Sequence, residues 1–124
     1  HGEPGWDEPT PCGPFELYDV TPGHVVRTER DPLDCGLARC TPQSLAGGDA
    51  ARNATGMRAV FTGQDRGSHR DALVLNAALA LEVTGTVADP HEAIRAASDA
   101  LDRGDGARLL EKLATFGRSI GGAP

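Results

Sequence analysis

The residues best suited to chemistry stand at the front of the chain, in His1-Gly2-Glu3-Pro4-Gly5-Trp6-Asp7-Glu8. The adjacent carboxylates Asp7 and Glu8 offer oxygen donors to a hard divalent cation, and neither needs a shifted pKa to be ionised at neutral pH. On a strand two neighbouring side chains point apart, whereas a turn brings both to one metal or lets one bridge two metals. Gly2 and Gly5 leave backbone open to a phosphate-bearing ligand. Taken alone, the doublet is also the pattern of a solvated acidic loop, the commoner use of such residues.

The remaining candidates read as structural. Cys12, Cys35 and Cys40 cannot all pair, and with no basic or apolar leader before them they fit a reducing cytoplasm. A zinc site built from them with His1 or His24 is disfavoured, because Cys35 and Cys40 are not tightly spaced and no second close pair exists. Gly47-Gly48-Asp49 has the look of a phosphate loop, but an Asp there caps a helix and its charge repels phosphate. Asn76, in an apolar run, reads as an amide bonded to nearby backbone. Arg70 reads as a solvated or paired surface charge, and His24, His69 and His91 as exposed histidines. No spacing singles out a nucleophile with its base.

These residues must be positioned by the elements around them. Residues 1–14 carry Pro4, Pro9, Pro11 and Pro14 with Gly2, Gly5 and Gly13, which is loop composition. Phe15 to Val20 alternates with the strand period, and Val25 to Glu29 does so weakly after Thr21-Pro22-Gly23-His24, whose Pro and Gly suit a type II turn; this predicts a β-hairpin over 15–30. Leu33 to Gly48 reads as irregular with short turns.

Asp49 caps a first helix with Ala50, Ala54, Met57, Val60 and Phe61 on one face. Ser68 and Asp71 resemble a capping box before Ala72 to Leu81, apolar almost all round and so expected at the centre. Asp89-Pro90 starts a third helix with Ala93, Ile94, Ala97 and Leu101 inward. Asp105 caps a fourth, with Leu109, Leu110, Leu113 and Phe116 expected inward up to Gly117. The helical part covers 49–118, and the tail 119–124 is expected to fray.

The expected fold is an α+β fragment of an α/β domain: an N-terminal loop, a hairpin and four helices, one central and buried. With 124 residues the chain is long enough for one core without disulfides. Its net charge of −6 argues against nucleic acid or an anionic membrane as partner. No apolar run reaches the roughly 18 residues of a membrane span.

The order of motifs resembles the C-terminal part of anthranilate phosphoribosyltransferases. It is carried by His1-Gly2, Gly5 and Asp7-Glu8, then Asp34-Cys35-Gly36-Leu37, Leu45 to Ala50, Asn53-Ala54, Arg70 to Ala78 and Asp102-Arg103-Gly104 before a Leu-Leu helix. The resemblance spans essentially the whole chain. It implies a nucleoside phosphorylase/phosphoribosyltransferase-like fold and transfer of phosphoribosyl from phosphoribosyl pyrophosphate to anthranilate, in tryptophan biosynthesis. It further implies that residues 1–14 form a metal-binding loop in which Asp7 and Glu8 hold Mg²⁺, with Glu8 the bridging ligand. Where the family has Leu before the acidic pair, this chain has Trp6. The family's glycine-rich phosphate loop and its anthranilate-holding residues lie upstream of the HG motif. The chain is therefore expected to be a fragment or processed product, inactive by itself and self-associating through its hairpin edge, with the homodimer contact of the full enzyme lost. The competing expectation is a non-catalytic scaffold or binding module of the same descent.

Overall fold

The computed structural model describes residues 1–3 and 5–121; part of the expected frayed tail, residues 122–124, lies outside them. Strand β1 (Phe15–Thr21) pairs antiparallel with β2 (His24–Arg30), Phe15 opposite Arg30 and Thr21 opposite His24. Pro22 and Gly23 make the connection, and Gly23 has a φ of 77°, a backbone the third position of a type II turn requires and glycine adopts without strain. The front of the chain runs along the other edge of β1. Gly2 bridges Phe15, Glu16 N–H donates to the His1 carbonyl at 2.8 Å, and Glu3 N–H donates to the Pro14 carbonyl at 3.0 Å.

Two short 3₁₀ turns, Pro32–Cys35 and Pro42–Leu45, occupy the connector that reads as irregular in sequence. Four helices follow: α1 (Ala50–Phe61), α2 (Ser68–Val83), α3 (Pro90–Asp102) and α4 (Asp105–Ile120). Asp49 caps α1 by accepting from Arg52 N–H at 2.8 Å, and Asp89 caps α3 by accepting from Glu92 N–H at 2.8 Å. Both side chains satisfy donors that have no partner within their helix.

The capping box expected of Ser68 and Asp71 does not form. Gly67 is the cap and supplies no side chain, so Ser68 is already helical. Asp71 is instead drawn half-buried against the fold, and loss of hydration pushes its carboxyl above the usual carboxylate range, with Arg70 beside it opposing. Asp105 likewise lies inside α4, because Gly104 takes the left-handed cap position at φ 75°. Arg70 pairs with Asp102 at 3.3 Å, fastening the start of α2 to the end of α3.

One core lies where α2, α3, the hairpin root and the connector meet. It holds Phe15, Leu37, Val74, Leu75, Ala78, Ala93, Ile94 and Ala97. Val74 and Ala93 are fully sealed, and small residues at 78, 93 and 97 let α2 and α3 pack closely. Helix α2 is the central element, as its apolar circumference requires. Arg30 reaches Glu82 at 2.7 Å and clamps the end of β2 to α2.

Helix α4 departs from expectation. Leu109, Leu113, Phe116 and Ile120 are 57%, 57%, 61% and 67% exposed, so most of its apolar stripe faces solvent. Periodicity identifies an amphipathic helix but not the surface that covers it. The helix also runs through Gly117 to Ile120, where Ser119 Oγ donates to the Phe116 carbonyl at 2.7 Å. Among the described residues, no helix is long and apolar enough to cross a membrane.

Candidate functional site

The acidic loop is built from its neck outward. Trp6 N–H and Gly5 N–H both donate to the Gly2 carbonyl at 2.9 Å, and Gly2 N–H donates to the Trp6 carbonyl at 3.0 Å. A side chain at Gly2 would come within 2.8 Å of the Glu8 carbonyl oxygen and 3.1 Å of Trp6 Cβ. No real Cβ sits that close to backbone oxygen, so glycine at position 2 closes the loop and leaves no opening there for a ligand. Gly5, at φ 111° with open space around its Cα, turns the chain and remains accessible, as expected of it.

Beyond the acidic pair the chain dives into the fold: Thr10 and Pro11 are buried. Asn76, at the middle of α2, donates from Nδ2 to the Pro9 carbonyl at 3.0 Å and to the Ala72 carbonyl at 2.9 Å. Cys40 N–H donates to the Pro11 carbonyl at 3.1 Å. The amide expected to bond to nearby backbone is thus also a brace for the residue next to Glu8, a contact across 67 positions of sequence. Asn76→Leu keeps much of the volume and leaves the Pro9 carbonyl without its donor. A loss of about 1–3 kcal/mol in stability is expected, the cost of an unsatisfied part-buried acceptor. Urea unfolding measures it, and an unchanged midpoint would contradict the bracing role.

Asp7 and Glu8 are both exposed on this anchored loop. Among the described residues no hydrogen bond or ion pair engages either carboxylate, unlike Glu16, whose carboxyl Arg27 and then Tyr18 hold below the usual range. No group of three or more His, Cys, Asp or Glu stands ready to enclose a metal among the described residues. Mg²⁺ keeps several waters and is commonly held by one or two carboxylates together with substrate phosphates, so carboxylate oxygens are the donor type it takes. Asp7 and Glu8, just past the closed turn, present oxygens of that type, as any solvated acidic pair does.

The other sequence candidates fall elsewhere. Gly48 N–H is taken up by Asn53 Oδ1 at 2.8 Å while Asn53 Nδ2 donates to the Gly48 carbonyl at 3.0 Å, so Gly47-Gly48-Asp49 is a helix entry and not a phosphate cradle. His69 lies 3.3 Å from Asp65, and His24 and His91 are exposed. Cys12 and Cys40 meet, whereas Cys35 lies apart, packed against the core, where burial raises its thiol pKa. A groove of about 460 Å³ opens between α1 and the start of α2, lined by Arg52, Asn53, Met57, Phe61, His69 and Leu73 among others, away from the acidic pair.

A hairpin set against a helical layer in this order has clear counterparts. The sequence model described as glycosyl transferase family, a/b domain, matches residues 1–107, and the chain belongs to that family. It is 39% identical over 122 residues to the anthranilate phosphoribosyltransferase of Rubrobacter xylanophilus, a match that takes in 98% of this chain and 36% of that enzyme. It is 41% identical over 113 residues to the enzyme of the same name from Paramagnetospirillum magneticum, taking in 91% of this chain and 32% of the relative. The crystal structure of anthranilate phosphoribosyltransferase from Thermus thermophilus superposes with a TM-score of 0.81 at 30% identity, covering 94% of this chain and 34% of that one. The fold is therefore that of the nucleoside phosphorylase/phosphoribosyltransferase class, and the chain spans about a third of the length of the curated relatives it matches.

Proposed function

We propose that this chain is the metal-loop and helical portion of an anthranilate phosphoribosyltransferase, a transferase that moves phosphoribosyl from phosphoribosyl pyrophosphate to the amine of anthranilate in tryptophan biosynthesis. One observation carries the reading: identity of 39% and 41% over nearly the whole chain to enzymes named anthranilate phosphoribosyltransferase, with Asp7 and Glu8 exposed just past the turn that Gly2 closes. The names of the relatives supply the substrates.

In this reading Asp7 and Glu8 would hold Mg²⁺ at the diphosphate, the role that the family resemblance implies for them. Bound there, the cation neutralises charge that develops on the diphosphate as its bond to the ribose breaks. Gly2 and Trp6 fix the backbone just before the pair, and Asn76 braces the Pro9 carbonyl just after it. The phosphate loop and the anthranilate contacts belong to residues outside this chain, as does a homodimer contact in a helical domain. The same reading makes the whole protein cytoplasmic and, with the net charge of −6, no binder of nucleic acid.

The test follows anthranilate fluorescence in the presence of phosphoribosyl pyrophosphate and Mg²⁺. The chain alone is expected to leave it at the buffer blank. The chain joined behind the preceding part of the Rubrobacter xylanophilus enzyme is expected to consume anthranilate. A folded fusion without turnover would overturn the reading in favour of a scaffold, and turnover by the chain alone would overturn the division of the site.

A further inference from the structure

Cys12 Sγ and Cys40 Sγ lie 3.5 Å apart, the two residues separated by 28 positions in sequence. Their backbones are already held side by side, because Cys40 N–H donates to the carbonyl of Pro11, the residue before Cys12. Cys12 N–H in turn donates to Thr10 Oγ1 at 3.3 Å, which fixes the local path of that segment. Both cysteines are partly buried, which leaves part of each residue open to solvent. Closing to the disulfide length of about 2.05 Å brings the two sulfurs about 1.5 Å nearer to each other. Cys35, the third cysteine, packs against the core near Arg30 and Glu82 and makes no such contact.

We propose that Cys12 and Cys40 form a reversible dithiol/disulfide pair, oxidised by a low-molecular-weight disulfide of the glutathione type, which staples the segment following the acidic loop to the connector before α1. The exchange runs in two steps. One protein thiolate attacks the small disulfide, forming a mixed disulfide and expelling one small thiolate. The second protein thiolate then attacks the protein sulfur of that adduct and expels the other. The protein gives up two protons and two electrons, and one small disulfide becomes two small thiols. In a reducing compartment the pair rests as thiols and closes when the disulfide poise rises.

Burial pushes the Cys40 thiol above its usual range, and the Cys12 thiol against it acts in the same direction, while the Ser68 hydroxyl opposes. A chemically inert pair of small apolar side chains is the ordinary use of such residues, and the sulfur-to-sulfur contact across two hydrogen-bonded segments is what separates this pair from that use.

The full chain is treated with oxidised glutathione, alkylated and mapped by peptide mass spectrometry, with a parallel thermal melt. The expected result is a Cys12–Cys40 cross-linked peptide, Cys35 alkylated, and a melting midpoint raised by about 10 °C and restored by dithiothreitol. Cys35→Ser keeps both effects; Cys12→Ser and Cys40→Ser lose both. Three alkylated thiols, a bridge through Cys35, a linkage between chains, or glutathione adducts that never resolve would each overturn the proposal. Mapping of the unsubstituted chain decides the matter even where a serine variant fails to fold. The outcome is independent of whether Asp7 and Glu8 hold a metal.

Discussion

Changing Asp7→Asn and Glu8→Gln together is expected to lower turnover of the fused enzyme by about 10²–10³-fold, the scale on which removal of a charge-stabilising group usually acts. The amides preserve size and polarity, so the loop keeps its shape: its neck is made by backbone bonds among Gly2, Gly5 and Trp6, none of which uses the carboxylates. What the variant loses is two negative charges facing solvent. The defect is therefore expected to appear as a loss of response to added Mg²⁺, with far-UV circular dichroism unchanged. In the isolated chain the same variant is expected to abolish any Mg²⁺ response seen by calorimetry in the presence of inorganic diphosphate. Full turnover with both amides in place would remove the acidic pair from the reaction.

The second large effect is on the fold. Phe15→Ala is expected to cost about 3–5 kcal/mol, the usual range for emptying a sealed aromatic site, against a total of about 5–15 kcal/mol for a domain of ordinary stability. Phe15 is 3% exposed and joins three parts at once: it opens β1, bridges Gly2 at the root of the acidic loop, and packs in the core cluster with Val74, Leu75 and Ile94. Chemical denaturation is expected to show the midpoint falling by a large fraction, and proteolysis is expected to cut the first fourteen residues before the helices. A variant with native stability would mean that the Phe15 side chain does not hold the hairpin root to the helices.

Local features were legible in the sequence because their causes are local. Asp49 and Asp89 cap helices through bonds three residues away, and Pro22-Gly23 specifies its own turn. Contacts between distant residues were not. The Ser68–Asp71 pattern carries the letters of a capping box, yet packing turned Asp71 inward and left the cap to Gly67. The apolar stripe of α4 announced a buried face, but a stripe does not say whether its cover belongs to these residues. For the site, Asp7 and Glu8 became more than surface charge only through family resemblance. The brace from Asn76 and the close approach of Gly2 to Glu8 depend on three-dimensional neighbours that no spacing encodes.

The neck at Gly2 has a mechanical consequence. The turn it closes runs from Gly2 to Trp6, so Asp7 and Glu8 leave from a fixed point just past the closure while their exposed side chains keep their own rotamers. Folding has fixed the backbone on which the doublet stands, and the ordering of its two side chains is left as a cost that any ligand gathering them would meet.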